Sequence, residues 1–380
     1  MSHEDYLGMR RFPGLDGLRA LAATMVIFFH FGGPNWTWLS GWVGVYLFFV
    51  LSGFLITTLL LREQDRTGRI SLSNFYIRRV FRILPPMYIV LILAVLLGLA
   101  GVFNSQMTPG GVFAQFAHLT NYYLIWFGAG DFAPATSIMW SLAVEEHFYL
   151  LFPLALILLY RRFDSRGTAG ILLAVCGLVL LWRLYLVFVA GYGHDYTYVA
   201  TDTRLDSLLY GCILGVWCNP ALDRNEWIPG KRTWLVLLAL SIGLLLFTFL
   251  YRSEAFRETF RYSLQGIALF SVFFCAVRFP HWPGFAWLET RPMRALGLIS
   301  YTFYLVHVPC LLLLKRYLDL GVWPRTVLGF LLTVAVSTAM YLLVERHMAA
   351  LRRRLRGRMQ RSSSKSAGGR ASDAAAAAHR

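Results

Sequence analysis

The sequence predicts an all-α integral membrane protein, a bundle of about ten transmembrane helices with short interfacial helices beside them. Three observations predict it. Of 380 residues, 57% are hydrophobic and only 15% charged, against about a quarter charged in soluble domains. Apolar stretches long enough to cross about 30 Å of hydrocarbon recur from one end to the other, so no separate soluble domain is expected. The formal net charge of +16 gathers as arginines between those stretches, which is a topology signal, and no nucleic-acid partner is expected.

Taken in order, the spans are expected at 14–33, 42–61, 85–103, 140–160, 169–190, 205–218, 233–251, 261–279, 297–315 and 325–345, the sixth being the shortest. The connection after the second span is strongly basic (Arg62, Arg66, Arg69, Arg78, Arg79, Arg82), as is that after the fourth (Arg161, Arg162, Arg166). The first connection, GGPNWTWLSG, has no Lys or Arg. The positive-inside rule then puts both termini in the cytoplasm, consistent with a multi-pass protein of a bacterial inner membrane; the three arginines of 252–261 fall on the predicted outside. Residues 69–84 read as a basic amphipathic helix in the inner interface, and 112–127 as a helix in the outer one. Gly41, Gly44, Ser52 and Gly53 read as small residues that let helices approach. Residues 1–350 are expected to form one transmembrane domain, and 351–380 a basic, disordered tail. The five cysteines lie in or beside apolar spans without CxxC spacing, so they read as small core residues, and no metal site is expected.

The candidate site starts in the first span. Arg19 and His30 are eleven positions apart, close to three whole turns, so they share a face and stand about 16 Å apart along the axis. Charged residues inside a membrane helix are costly and usually functional. A neutral imidazole can take a proton from a hydroxyl; the plain alternative is a core histidine bonded to a carbonyl. Arg19 either pairs with Asp16 or contacts phosphate, as do Arg78, Arg79 and Arg82, which crowd into five residues before Pro85-Pro86. In the fourth span, Glu145 and Glu146 precede His147, at a depth close to that of His30. One of them is expected to orient His30; since adjacent residues point about 100° apart, only one faces it. The alternative is a protonated glutamate or a pair with Arg183. Ser300, Tyr304 and His307 make a polar stripe in the ninth span. Tyr304 and His307 are candidate substrate contacts, or part of an internal hydrogen-bond network. Arg204 and Asp206 either bind a polar acceptor or form a structural pair, and Glu345 reads as a partner for an arginine.

GLDGLRALA with its Arg19–His30 spacing, GVGVYLFFVLSGFLIT, FYIRRVFRILPPMY, WSLAVEEHFYLLFP, RLDSLLYG and SYTFYLVHVP occur in one order across most of residues 10–345. In that combination the chain resembles the acyltransferase-3 family of integral-membrane O-acyltransferases. The resemblance implies transfer of an acyl group, often acetyl, from acyl-coenzyme A to a hydroxyl of a cell-surface glycan or of a small metabolite such as a macrolide. By position it implicates Arg19, His30, Arg79, Arg82, Glu145 and Glu146. The family usually has glutamine where this chain has His147, which puts any role of that amide in doubt. Many relatives carry an extracellular hydrolase-like domain; none is expected here, so transfer would finish in this domain or on a separate partner.

Together these readings predict a passage with arginines holding the coenzyme A phosphates at one end and His30 as general base at the other. A transient acyl-imidazole on His30 is the other route. The rival class is a secondary transporter moving an organic anion past Arg19, with His30 as proton relay. Such proteins usually show two similar halves, and the Arg19–His30 arrangement is not repeated later in the chain. A purely structural scaffold would lose no activity with its buried ionisable groups.

Overall fold

The computed structural model describes residues 11–32, 41–222 and 230–355. Ten long helices follow one another: α1 Leu15–Gly32, α2 Trp42–Thr67, α3 Leu72–Leu99, α4 Trp140–Tyr160, α5 Ser165–Phe188, α6 Thr201–Val216, α7 Lys231–Leu250, α8 Phe260–Arg278, α9 Arg291–Tyr317 and α10 Val322–Met340. No strand occurs among the described residues. Nine of the helical segments there are long and apolar enough to cross a membrane. The exception is α6. It has 16 residues, 13 of them buried, and it packs most extensively against α2, then α5 and α8. It is wrapped by other helices, which is why it can carry Arg204 and Asp206.

The α2–α6 crossing depends on missing side chains. A Cβ on Gly53 would sit 1.9 Å from the Leu208 carbonyl oxygen, and one on Gly211 would sit 1.9 Å from that of Val50. Gly41 and Gly44 likewise face α1 at Phe29 and Ala22. Ser52 departs from the expected packing role: its hydroxyl donates to Glu145 Oε1 at 2.9 Å. At the start of the bundle, a Cβ on Gly297 of α9 would meet the Asp16 carbonyl oxygen at 1.9 Å, which holds α9 against α1.

Two segments differ from expectation. The chain turns tightly after α2, where Gly68 takes φ +73° and bonds back to the Gln64 carbonyl, and Ser71 caps α3 by accepting from the Asn74 amide. From there α3 runs unbroken through Pro85 and Pro86, so residues 69–84 are not a separate helix. The prolines leave the Phe81 and Arg82 carbonyls without their usual amide donors. Beside them the Tyr301 hydroxyl donates to the Ile83 carbonyl at 2.9 Å and ties the disturbed turn to α9. Residues 112–127 form two short helices, Pro109–Phe116 and Thr120–Phe127. The break is at His118, whose φ is +58°.

Past α10 a π-helical turn at Tyr341–Glu345 leads into helix that continues to Leu355. The first five residues of the expected tail are thus helical, and 356–380 lie outside the described residues, as do most of the first connection and residues 1–10.

Candidate functional site

A cavity of about 700 Å³ lies between α1, α2, α3, α4 and α9. Arg19, Arg79 and Arg82 line one end of it; Phe48, Ser141 and Tyr304 line the other. Its flank carries Ser52, Glu145 and Tyr149. Arg19 reaches Asp16 at 3.3 Å. Arg79 lies over the Tyr149 ring at 4.7 Å. Neither Arg79 nor Arg82 makes a hydrogen bond among the described residues, so their donor forks stay free for another anion. Arg78 is different: it points out of this cavity and pairs with Glu63 at 2.7 Å. Of the four arginines expected to hold phosphate, three converge and Arg78 does not.

Arg19 and Arg82 also line a second space of about 1080 Å³, which opens at the arginine end of the bundle. Arg11, Arg346, Arg352 and Arg353 are in its walls, with Tyr341 and Glu345. Sequence reading gave the C-terminal arginines no role. The signal that could have found them is the spacing Arg346, Arg353, about two turns apart on one helix face. The π turn just before them changes the phase of that face, and such turns are frequent at functional sites. Glu345 accepts from the Thr302 hydroxyl, not from an arginine as expected, although Arg82 is close enough to act on its charge.

Glu145 accepts from Tyr149 at 2.7 Å and from Ser52 at 2.9 Å. Glu146 faces another cavity altogether, beside His118 and His147. Neither carboxylate is hydrogen-bonded to His30. The 100° offset between neighbours does separate them, but the partner of His30 is His307 of α9, at 3.2 Å.

The tautomers of this imidazole pair follow from its acceptors. His307 Nδ1 meets the Tyr304 carbonyl at 2.5 Å, so that nitrogen carries a proton, and in the neutral ring Nε2 is the acceptor. His30 Nδ1 faces the Val26 carbonyl at 2.9 Å and His307 Nε2 at 3.2 Å. Both are acceptors, so this nitrogen also carries its proton. His30 Nε2 is left with a lone pair and makes no hydrogen bond among the described residues. A ring fixed through Nδ1 and open at Nε2 is the arrangement a general base needs. His307 is fully buried and has both nitrogens engaged, so it cannot be the substrate contact expected of it.

The expected open passage from Arg19 to His30 is closed. Tyr304 donates to the Ile138 carbonyl at 3.1 Å and lies 2.7 Å from Ser141 Oγ, which holds its ring across the cavity beside Phe48, at 6.1 Å between centroids. His307 lies behind it, 5.5 Å from the Tyr304 ring, and His30 is 4.9 Å further on.

Arg204 and Asp206 line none of these spaces, contrary to the expected acceptor contact, and they do not pair with each other. Asp206 takes Arg183 at 2.7 Å, both side chains having no exposure. Arg204 sits 4.1 Å over the Tyr262 ring, with Tyr46 and Phe49 around it. The reason is the full enclosure of α6, which turns these charges toward other helices. His147 is tied to Thr201 at the start of α6 through Nδ1, at 2.8 Å.

A profile described as an acyltransferase domain, that of the acyltransferase 3 family, matches residues 12–342. Among known proteins the chain is similar to the O-acetyltransferase OatA of Staphylococcus aureus strain NCTC 8325 / PS 47, 33% identical over an alignment of 353 residues that covers 88% of this chain and 57% of the relative. OatA of strain COL matches with the same identity and coverage. The chain therefore spans less than two thirds of the length of these relatives. No solved structure matches it significantly. The chain belongs to the acyltransferase 3 family, and it carries multiple helices long and apolar enough to span a membrane.

Proposed function

We propose that this member of the family moves an acyl group, acetyl in the first instance, from acyl-coenzyme A to a hydroxyl of a cell-surface glycan. The observation that carries the reading is the His30 ring, held through Nδ1 and open at Nε2, on the same helix as an arginine that borders a basic cavity.

The donor's nucleotide would lie in the space walled by Arg346 and Arg353, with both termini cytoplasmic, and its arm would pass Arg19 and Arg82 into the inner cavity. Guanidinium forks suit phosphate oxygens. Glu145 is a positioning residue here: by accepting from Ser52 and Tyr149 it fixes the wall along which the arm runs. The thioester reaches His30 when Tyr304 releases Ser141 and swings aside. His30 Nε2 then takes the proton of the acceptor hydroxyl as its oxygen attacks the thioester carbonyl. The carbon–sulfur bond breaks, and the proton passes from His30 to the departing thiolate. His307 Nε2 accepts more strongly from Nδ1 while His30 is an imidazolium.

The test is transfer from labelled acetyl-coenzyme A by the purified full chain. His30→Ala should lose transfer while still binding the donor; transfer at the wild-type rate would remove His30 from the chemistry. Arg79→Ala should raise the donor KM with little change in kcat, and an unchanged KM would refute the phosphate assignment.

A further inference from the structure

A separate cavity of about 760 Å³ lies between α3, α4 and the His118 break. Arg79 and Tyr149 line both this cavity and the donor cavity, so one layer of side chains divides them. Three features mark it as a built site. Glu146, in its wall, makes no hydrogen bond among the described residues, so its carboxylate is open to a donor from the cavity. His118 Nδ1 is buried without a partner, on a residue whose φ of +58° is uncommon outside glycine. The mouth is apolar and faces outward: Val80 is 46% and Leu150 63% exposed, and Leu151 and Leu154 continue the exposed apolar flank along α4.

We propose that this cavity binds the sugar head of an amphiphile that arrives sideways from the bilayer. Its hydroxyls would donate to the Glu146 carboxylate, which no protein donor occupies. Its alkyl chain would lie against Val80 and Leu150. The rings of Tyr76 and Tyr88, also in the wall, offer flat faces to the sugar. The Arg79 guanidinium shares this wall with the Glu146 carboxylate, so the wall has no net charge to favour a phosphate head over a hydroxylated one. The occupied cavity is not the transfer pose, because His30 lies beyond Tyr304; it is a second ligand site that meets the donor site through Arg79. Binding stands without the acyl-transfer reading.

The experiment uses the full chain in nanodiscs with an alkyl glucoside bearing a photoreactive diazirine in its chain. Labelled peptides are mapped by mass spectrometry. Labelling should fall within residues 76–88, 117–118 and 146–154. It should drop about tenfold in Glu146→Leu, the loss expected for a hydrogen bond to a charged group. Leu150→Trp, a surface change that narrows the mouth and leaves the polar wall intact, should reduce it similarly while melting at the wild-type temperature. Labelling elsewhere, labelling unchanged in Leu150→Trp, or equal labelling by a phosphate-headed probe of the same chain would overturn the proposal. Coenzyme A release in the same nanodiscs reads the acyl-transfer proposal independently. Release without cavity labelling refutes this site alone. Labelling with no release upholds this site and counts against the acyl-transfer reading.

Discussion

His307→Phe separates the orienting role of α9 from a direct one. A flat aromatic ring, somewhat larger than imidazole, stays between α1 and α9, but Nε2, the acceptor for His30, is lost together with the Nδ1 bond to the Tyr304 carbonyl. A neutral hydrogen bond contributes about 0.5–1.5 kcal/mol and one from a charged donor about 1.5–3 kcal/mol. Only the difference acts on the rate, because the bond to His307 exists before and after His30 takes its proton. The bond is 3.2 Å long and its proton is shared with the Val26 carbonyl, which puts the difference at the low end, about 1 kcal/mol or roughly fivefold in kcat. Both KM values should stay near wild type, since His307 is fully buried and touches neither substrate. Steady-state acetyl transfer by protein of wild-type melting temperature measures it. An unchanged kcat would mean that His30 needs no orienter. A loss beyond about a thousandfold would make His307 the base itself.

Three further outcomes follow from the packing. Gly53→Ala puts a Cβ 1.9 Å from the Leu208 carbonyl oxygen; backbone cannot yield as a side chain can, so the loss should be about 3 kcal/mol, seen as a lower melting temperature in detergent. Asp206→Asn leaves the Arg183 guanidinium buried without its carboxylate and should cost about 3–5 kcal/mol, with Arg183→Met in the same chain recovering part of the loss. Burial pushes the Glu258 carboxyl up, but hydrogen bonds from His194 and Thr197 outweigh it and hold the group below its ordinary value of 4.5. That contribution to stability is present above pH 4.5 and lost as pH falls through the lower folded value; Glu258→Gln should flatten this acid limb of melting temperature against pH.

The parts of the molecule legible in the sequence are those set by local periodicity. Helix positions follow from apolar runs, and the shared face of Ser300, Tyr304 and His307 follows from 3.6 residues per turn. The structure keeps that stripe, with Ser300 and Tyr304 on the cavity and His307 at its end. What the sequence could not show is which helix each side chain meets. Matching depths made Glu145 a reasonable partner for His30, but depth fixes one coordinate of three. Rotation about the α4 axis turns Glu145 toward Ser52 and Tyr149 on α2 and α4 instead. Pro85-Pro86 reads as a break for the same reason: the hydroxyl that steadies that turn comes from Tyr301, 218 residues away.

The choice of partner for each buried charge has a common physical logic. α6 is short and enclosed, so its charges find partners only within the bundle. Asp206 is satisfied by Arg183, which also donates to the Thr203 and Thr259 carbonyls and to Ser263. Such a site gains rigidity, with four of the five guanidinium N–H groups engaged inside the bundle. At the arginine end the balance is reversed. Arg79 and Arg82 lack hydrogen-bonded carboxylates, and Arg346 and Arg353 add more positive charge to the adjoining space. Arg79 is partly buried, whereas Arg82, Arg346 and Arg353 are exposed; a partly buried guanidinium without an anion raises the energy of the empty protein. An anionic ligand that supplies the missing oxygens recovers that energy on binding, and under the proposed function the donor's phosphates would be that ligand.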